Sequence, residues 1–330
     1  MTGRRLQRSV CAGLLCLALA GCTSGAPGDT TAAPEGTASS ATSPASPPGP
    51  PAPPGGSLTP APELARALEQ GPAPATSPRR VAAQLLAAER AIADPRTRPA
   101  VLDAAGRLQQ LAYRVLGEHP RWDSDVLQRL PRSLHRTVTD NVAALRALRS
   151  MHPTRPGALA DELPAWRIVR PAPREVLMRS YRQAQRAFGV PWEYLAAINL
   201  VETALGRIRG MSVAGAQGPM QFMPATWAAY GRGDVHDPHD AILGAARYLA
   251  AMGFADDPGR ALLHYNNHPA YVRAITLLAG VMERHPRAFA GYHSWQVYYL
   301  TSRGGILLPV GYAARRPVPV DHWLARHRGD

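Results

Sequence analysis

One acidic side chain stands alone in residues 199–227, NLVETALGRIRGMSVAGAQGPMQFMPATW: Glu202, with no further Asp or Glu until Asp234. The chemistry open to such a group is proton transfer. A carboxyl that loses hydration becomes harder to ionise, and one that stays neutral near pH 7 can serve as a general acid. Spacing favours burial, because Leu195, Ile198 and Val201 form an apolar stripe and Glu202 follows Leu195 by seven residues and Ile198 by four. It therefore points with the stripe, and Asn199 is its polar neighbour. Spacing alone equally allows a helix-end Glu that leans into solvent.

The loop that follows is built to approach a ligand. Gly206, Gly210, Gly215 and Gly218 permit close backbone contact, while Ser212 and Gln221 offer neutral hydrogen bonds. Met220, Phe222 and Met223 are core-type residues, held beside the loop by a new helix starting at Pro224-Ala225-Thr226-Trp227. A second cluster, Asp234-Val235-His236-Asp237-Pro238-His239-Asp240, brings together oxygen and imidazole groups. A turn followed by an N-cap at Asp237 accounts for it, so no metal is expected. HExxH, GxSxG, P-loop and dinucleotide-binding glycine patterns are absent, and no cofactor is expected.

Elements must position these groups. Pro191, after Gly189, opens a helix over 191–204, and further helices are predicted at 174–188, 224–230, 239–252 and 270–284. Upstream, the stripes Val81, Leu85, Leu86, Ala88, Ala91, Ile92, then Leu102, Leu108, Leu111, Val115, Leu116, then Val138, Val142, Leu145, Leu148 predict three or four helices between 64 and 149. Glu89, Asp94 and Asp103 are expected on their solvated faces. Residues 152–174 are broken by five prolines and read as an extended connector. The tail, Trp295 to Leu300 then Ile306 to Leu308 around Gly304-Gly305, reads as a β-hairpin.

The start of the chain reads as an export signal: Arg4, Arg5 and Arg8, then a short apolar run from Ser9 to Gly21, too short to span a bilayer. Leu19-Ala20-Gly21-Cys22 resembles the lipobox of bacterial lipoproteins, which implies a lipid anchor on Cys22. The three cysteines lie at 11, 16 and 22, so the processed chain has no disulfide or Cys-based metal site and needs a packed core. Residues 23–60, rich in Pro, Ser, Thr, Ala and Gly, read as a disordered tether, reaching about 35 Å as a coil and roughly 120 Å as polyproline II. The net charge is +13, all 37 cations are Arg, and no compact basic run with interleaved aromatics suggests nucleic acid. An anionic cell envelope is the better partner.

Taken in order, the motifs resemble the soluble-lytic-transglycosylase (SLT) family, bacterial enzymes that cleave peptidoglycan. An apolar helix ending in Glu-Thr matches Ile198 to Thr203, and Ser-x-x-Gly-Ala-x-Gly-Leu-Met-Gln matches Ser212 to Gln221 with Pro219 in place of Leu. Met-Pro-x-Thr matches Met223 to Thr226, and Asp237-Pro238 with Gly244 to Leu249 follows. Ala-Tyr-Asn-Ala-Gly-Pro matches only in part, since Asn267 and His268 replace Ala-Gly after Tyr265-Asn266.

The resemblance implies a mainly α, lysozyme-like fold, with Glu202 as the single catalytic acid and Ser212, Met220, Gln221, Tyr265 and Asn266 on the sugar. Tyr265 would orient Glu202. The expected product carries a 1,6-anhydro end. The absence of acids from 203 to 233 suits a mechanism without a second carboxylate. A hydrolytic muramidase on the same fold and a non-catalytic envelope-binding lipoprotein remain alternatives.

The expected organisation is a signal at 1–21, a tether at 22–60, a helical domain of unknown role at 61–152 with cell-wall proteins as candidate partners, and a connector at 153–173. A catalytic domain at 174–290 and a hairpin with tail at 291–330 complete it. The protein is expected outside the cell, anchored to a membrane and acting on the wall.

Overall fold

The computed structural model describes residues 61–152, 159–212 and 214–327. The expected signal, the tether and Cys22 lie outside the described residues. The fold is mainly α, as the sequence implies. Its elements run α1 (Pro62–Gln70), α2 (Pro78–Ala93), α3 (Pro99–Glu118), α4 (Asp123–Gln128), α5 (Arg132–Ser150), β1 (Glu162–Leu163), β2 (Arg167–Ile168), α6 (Arg174–Phe188) and α7 (Trp192–Thr203). They continue with β3 (Ile208–Arg209), α8 (Pro224–Tyr230), α9 (Pro238–Ala251), α10 (Pro258–Tyr265), α11 (Pro269–Arg284) and α12 (Ala288–His293). The hairpin β4 (Val297–Thr301) and β5 (Gly304–Leu308), then β6 (Val318–Pro319) and α13 (Val320–Arg326), close the chain. Among the described residues no helix is long and apolar enough to cross a membrane.

Local chemistry explains where the helices start. Pro62, Pro78, Pro99, Pro224, Pro238, Pro258 and Pro269 each open one, where a missing N–H costs nothing and φ is already helical. Ser77, Asp237 and Asp257 cap α2, α9 and α10 with side-chain oxygens. Helix α6 ends at Gly189, which takes the left-handed conformation at φ 74°.

Two of the three apolar cores among the described residues meet near Glu202. The larger is continuous from Val81, Leu85 and Tyr113 through Val138 and Leu148 to Leu195, Ile198, Leu249, Ile275 and Tyr292, so α2, α3 and α5 share it with α6 to α12. Helix α11 packs against both α5 and α7. The smaller core gathers Leu163, Trp166, Ile168, Ala204, Ile208, Val297, Leu308 and Val320 around the short strands. There β1 pairs with β6, β2 with β3 and β4 with β5, all antiparallel.

Two expectations are revised. Helix α7 is not amphipathic: from Leu195 to Thr203 every residue is buried, as befits a helix central to its core. Glu89 is not solvated either. Its carboxyl is buried on α2, where it accepts hydrogen bonds from the Tyr113 hydroxyl and from Gln109 Nε2 at 2.9 Å. Gln109 in turn accepts from Trp295 Nε1 at 2.9 Å, and Tyr292 donates to Asn141 Oδ1 at 2.6 Å. This polar network ties α2, α3 and α5 to α12, and burial without such partners would be costly.

Candidate active site

Helix α7 ends in a tight left-handed closure. Ala204, Leu205 and Gly206 have φ of 51°, 63° and 81°, and the N–H groups of Ala204 and Leu205 return to the carbonyls of Leu200 and Asn199 at 3.0 Å. A non-glycine residue in this region costs about 1–2 kcal/mol. Among the described residues, the three that do so are Ala204, Leu205 and Gln221. Strain of this kind gathers where a site must be held in one geometry.

The Thr203 hydroxyl fastens the helix end to the next loop. It donates to the Pro219 carbonyl at 2.6 Å and accepts from the Gly206 N–H at 3.0 Å. Pro219 lies in a hairpin turn whose ends, Gln217 and Phe222, exchange both backbone hydrogen bonds at 2.8 Å. Gly218 enters the turn at φ 72°, and a Cβ there would run into the Val235 carbonyl oxygen, so only glycine fits. Gln221 leaves the turn at φ 50°. Met220 is thereby driven fully into the core, and Gln221 is 3% exposed.

Glu202 is 1% exposed. The Tyr271 hydroxyl donates to its Oε1 at 2.8 Å. Tyr271 stands in the first turn of α11, and His268 caps that helix by accepting the Ala270 N–H on Nδ1 at 3.1 Å. The departure at 267–268 thus supplies the cap of the helix that carries Tyr271. The Tyr265 hydroxyl, to which the resemblance assigns the orientation of Glu202, donates to the Met220 carbonyl at 2.7 Å. The two tyrosine rings lie parallel, 5° apart in plane with centroids at 6.5 Å. One ties down the acid, the other the hairpin.

The remaining candidates divide by what they touch. Gln221 donates from Nε2 to the Gly218 carbonyl at 2.9 Å. Its Oε1 and the Nδ2 of Asn266 are buried with no hydrogen-bond partner among the described residues. Buried polar atoms left so are uncommon; the Gln221 oxygen can accept one hydrogen bond and the Asn266 amide can donate one. Ser212 closes its own loop, its hydroxyl accepting from the Ala216 N–H at 2.9 Å. Asn199 turns from Glu202 to donate to the Tyr181 hydroxyl at 2.8 Å.

The acids of 234–240 organise a turn. Asp237 caps α9 through the N–H groups of His239 and Asp240, Asp240 accepts from the Asp234 N–H, and Asp234 from the His236 N–H. Among the described residues no group of three or more His, Cys, Asp or Glu is arranged to hold a metal.

Tyr271 is the partner of Glu202 that sequence reasoning missed. A signal existed, because Tyr271 shares the α11 stripe of Ala274, Ile275 and Leu278, and a buried Tyr needs a partner for its hydroxyl.

Residues 179–277 match the family model described as Transglycosylase SLT domain. The matched stretch contains Glu202, the hairpin, Tyr265 and Tyr271, and excludes residues 61–152 and the C-terminal strands. Comparison with curated proteins and with solved structures gives no match.

Proposed function

We propose that the chain is a peptidoglycan lytic transglycosylase that cuts the bond between N-acetylmuramic acid and N-acetylglucosamine and leaves a 1,6-anhydro end. The observation that carries this reading is a single buried carboxyl, Glu202, fixed by Tyr271 beside the Gly218–Gln221 hairpin, within the stretch similar to the transglycosylase family.

Burial disfavours the ionised form of Glu202 and keeps a proton ready. The acidic proton passes to the glycosidic oxygen as the bond to muramic acid C1 breaks. The resulting carboxylate, steadied by the tyrosine hydroxyl, takes the proton of the same sugar's C6 hydroxyl as that oxygen closes onto C1. The proton count returns to its start and no water is consumed. Intramolecular attack gains from proximity, which replaces the second carboxylate of two-acid glycosidases. Gln221 Oε1 and Asn266 Nδ2 suit the N–H and C=O of an N-acetyl group, Tyr265 holds the Met220 backbone in place, and Ser212 shapes its loop.

The carboxylate requirement is directly testable. Glu202→Gln keeps shape but cannot shuttle a proton, so it should retain glycan binding while the cleavage rate falls at least 1,000-fold, roughly 4 kcal/mol of barrier. Asp234→Asn, Asp237→Asn and Asp240→Asn should each keep most of the activity. Loss of turnover in one of them would reveal a second catalytic carboxylate. We further propose attachment to a membrane through Cys22, and unchanged membrane fractionation of Cys22→Ser would overturn that.

A further inference from the structure

Across the β2–β3 pair, Arg167 and Arg209 are direct partners, as are Ile168 and Ile208 beside them. The isoleucines face the smaller core, so the two arginines share the outward face, where like charges set directly opposite repel. Among the described residues neither forms an ion pair with an acid. Both line a cavity of about 380 Å³ together with His236, Gly210 and Gly218. Arg209 is oriented there by donating from Nη1 to the His236 carbonyl at 2.9 Å. The glycines leave backbone as wall: a Cβ on Gly210 would come within 2.6 Å of Trp166 Cδ1.

Two arginines among the lining of a concave site that also includes Val169 and Ile208 are suited to a planar anion. The cavity exceeds what a small inorganic ion fills, and its wall at Gly218 is the first residue of the turn that ends in Gln221. An anion bound there would therefore lie next to the glycan. We propose that this cavity is a subsite for carboxylates of the short peptides carried by the glycan strand. The proposal rests on the function proposed above, and Arg167 and Arg209 are assigned specificity rather than catalysis.

Two measurements test it. Isothermal titration would compare a muramoyl tripeptide with free carboxylates, its fully amidated counterpart and inorganic phosphate. We expect the wild type to prefer the free carboxylates. Arg167→Gln with Arg209→Gln should weaken that binding at least tenfold without affecting the amidated probe, and Arg167→Lys with Arg209→Lys should keep most of it. Equal binding of both peptide probes, an unchanged affinity in the Gln variant, or tight phosphate binding without peptide binding would overturn the subsite.

Turnover of peptide-bearing and peptide-free glycan separates the two readings. The Gln variant should raise KM about tenfold on the first and leave the second unchanged. Cleavage of both with no arginine effect would sink the subsite and leave the enzyme standing. Carboxylate-selective binding in a wild-type protein that cuts neither glycan would sink the enzyme instead.

Discussion

Glu89 and Glu202 are both buried carboxyls, and their settings suit different work. Glu89 is enclosed by Tyr113 and Gln109 in a network that fastens helices together. Glu202 is held by Tyr271 on one oxygen, at the strained end of α7. Burial pushes Glu89 above its ordinary value of 4.5, against the lowering effect of the Tyr113 and Gln109 hydrogen bonds. A raised folded-state value means that the folded protein holds this proton more tightly than the unfolded chain. The contribution to stability is then complete below pH 4.5 and is lost as pH rises through the folded value. Glu89→Gln, which cannot ionise, should gain in melting temperature relative to wild type as pH is raised from 4 to 8. A difference that does not vary with pH would contradict this assignment. The sequence places Glu89 four residues after Leu85 and eight after Val81, on the apolar stripe itself. The general rule that acids face solvent outweighed that spacing, because its partners lie on another helix.

At the scale of elements, the site depends on two short segments meeting: the end of α7 and the hairpin from Gln217 to Phe222. Thr203 and Gly218 make the meeting possible. Gly218→Ala should force the turn away from the Val235 carbonyl and strain a positive φ, costing about 1–3 kcal/mol of stability and at least tenfold in turnover. Chemical denaturation and steady-state rates would check both, and an alanine variant with wild-type values would refute the packing account. The helix that carries Glu202, the loop and the flanking helices were legible because Pro191, Pro224 and Pro238, apolar periodicity and closely spaced motifs mark them locally. The strand pairs β1–β6 and β2–β3 were not. Each strand is two residues long and its partner is distant in sequence, so no local pattern announces them. Tyr271 was missed for a related reason, since its bond to Glu202 spans 69 positions.

At the scale of the whole molecule, helices α2, α3 and α5 complete the larger core. Val138, Val142 and Leu148 belong to the same apolar cluster as Ile275 and Leu278 of α11, the helix that carries Tyr271. Arg284 of α11 also pairs with Asp140 of α5. A chain beginning at residue 159 would expose those faces, since hydrophobic burial supplies most of the stability. It should lose cooperative unfolding and bind hydrophobic dyes. A truncated chain that melts cooperatively and turns over at the full-length rate would show the helical region to be dispensable.

The central claim is that one carboxyl and the substrate's own hydroxyl do the chemistry. Mass analysis of the products from a complete digest of purified peptidoglycan tests this most directly. The account predicts muropeptides one water lighter than their reducing-end counterparts, with none formed by the Glu202→Gln protein. Reducing ends as the main product would contradict it, because water rather than the C6 hydroxyl would then be the nucleophile.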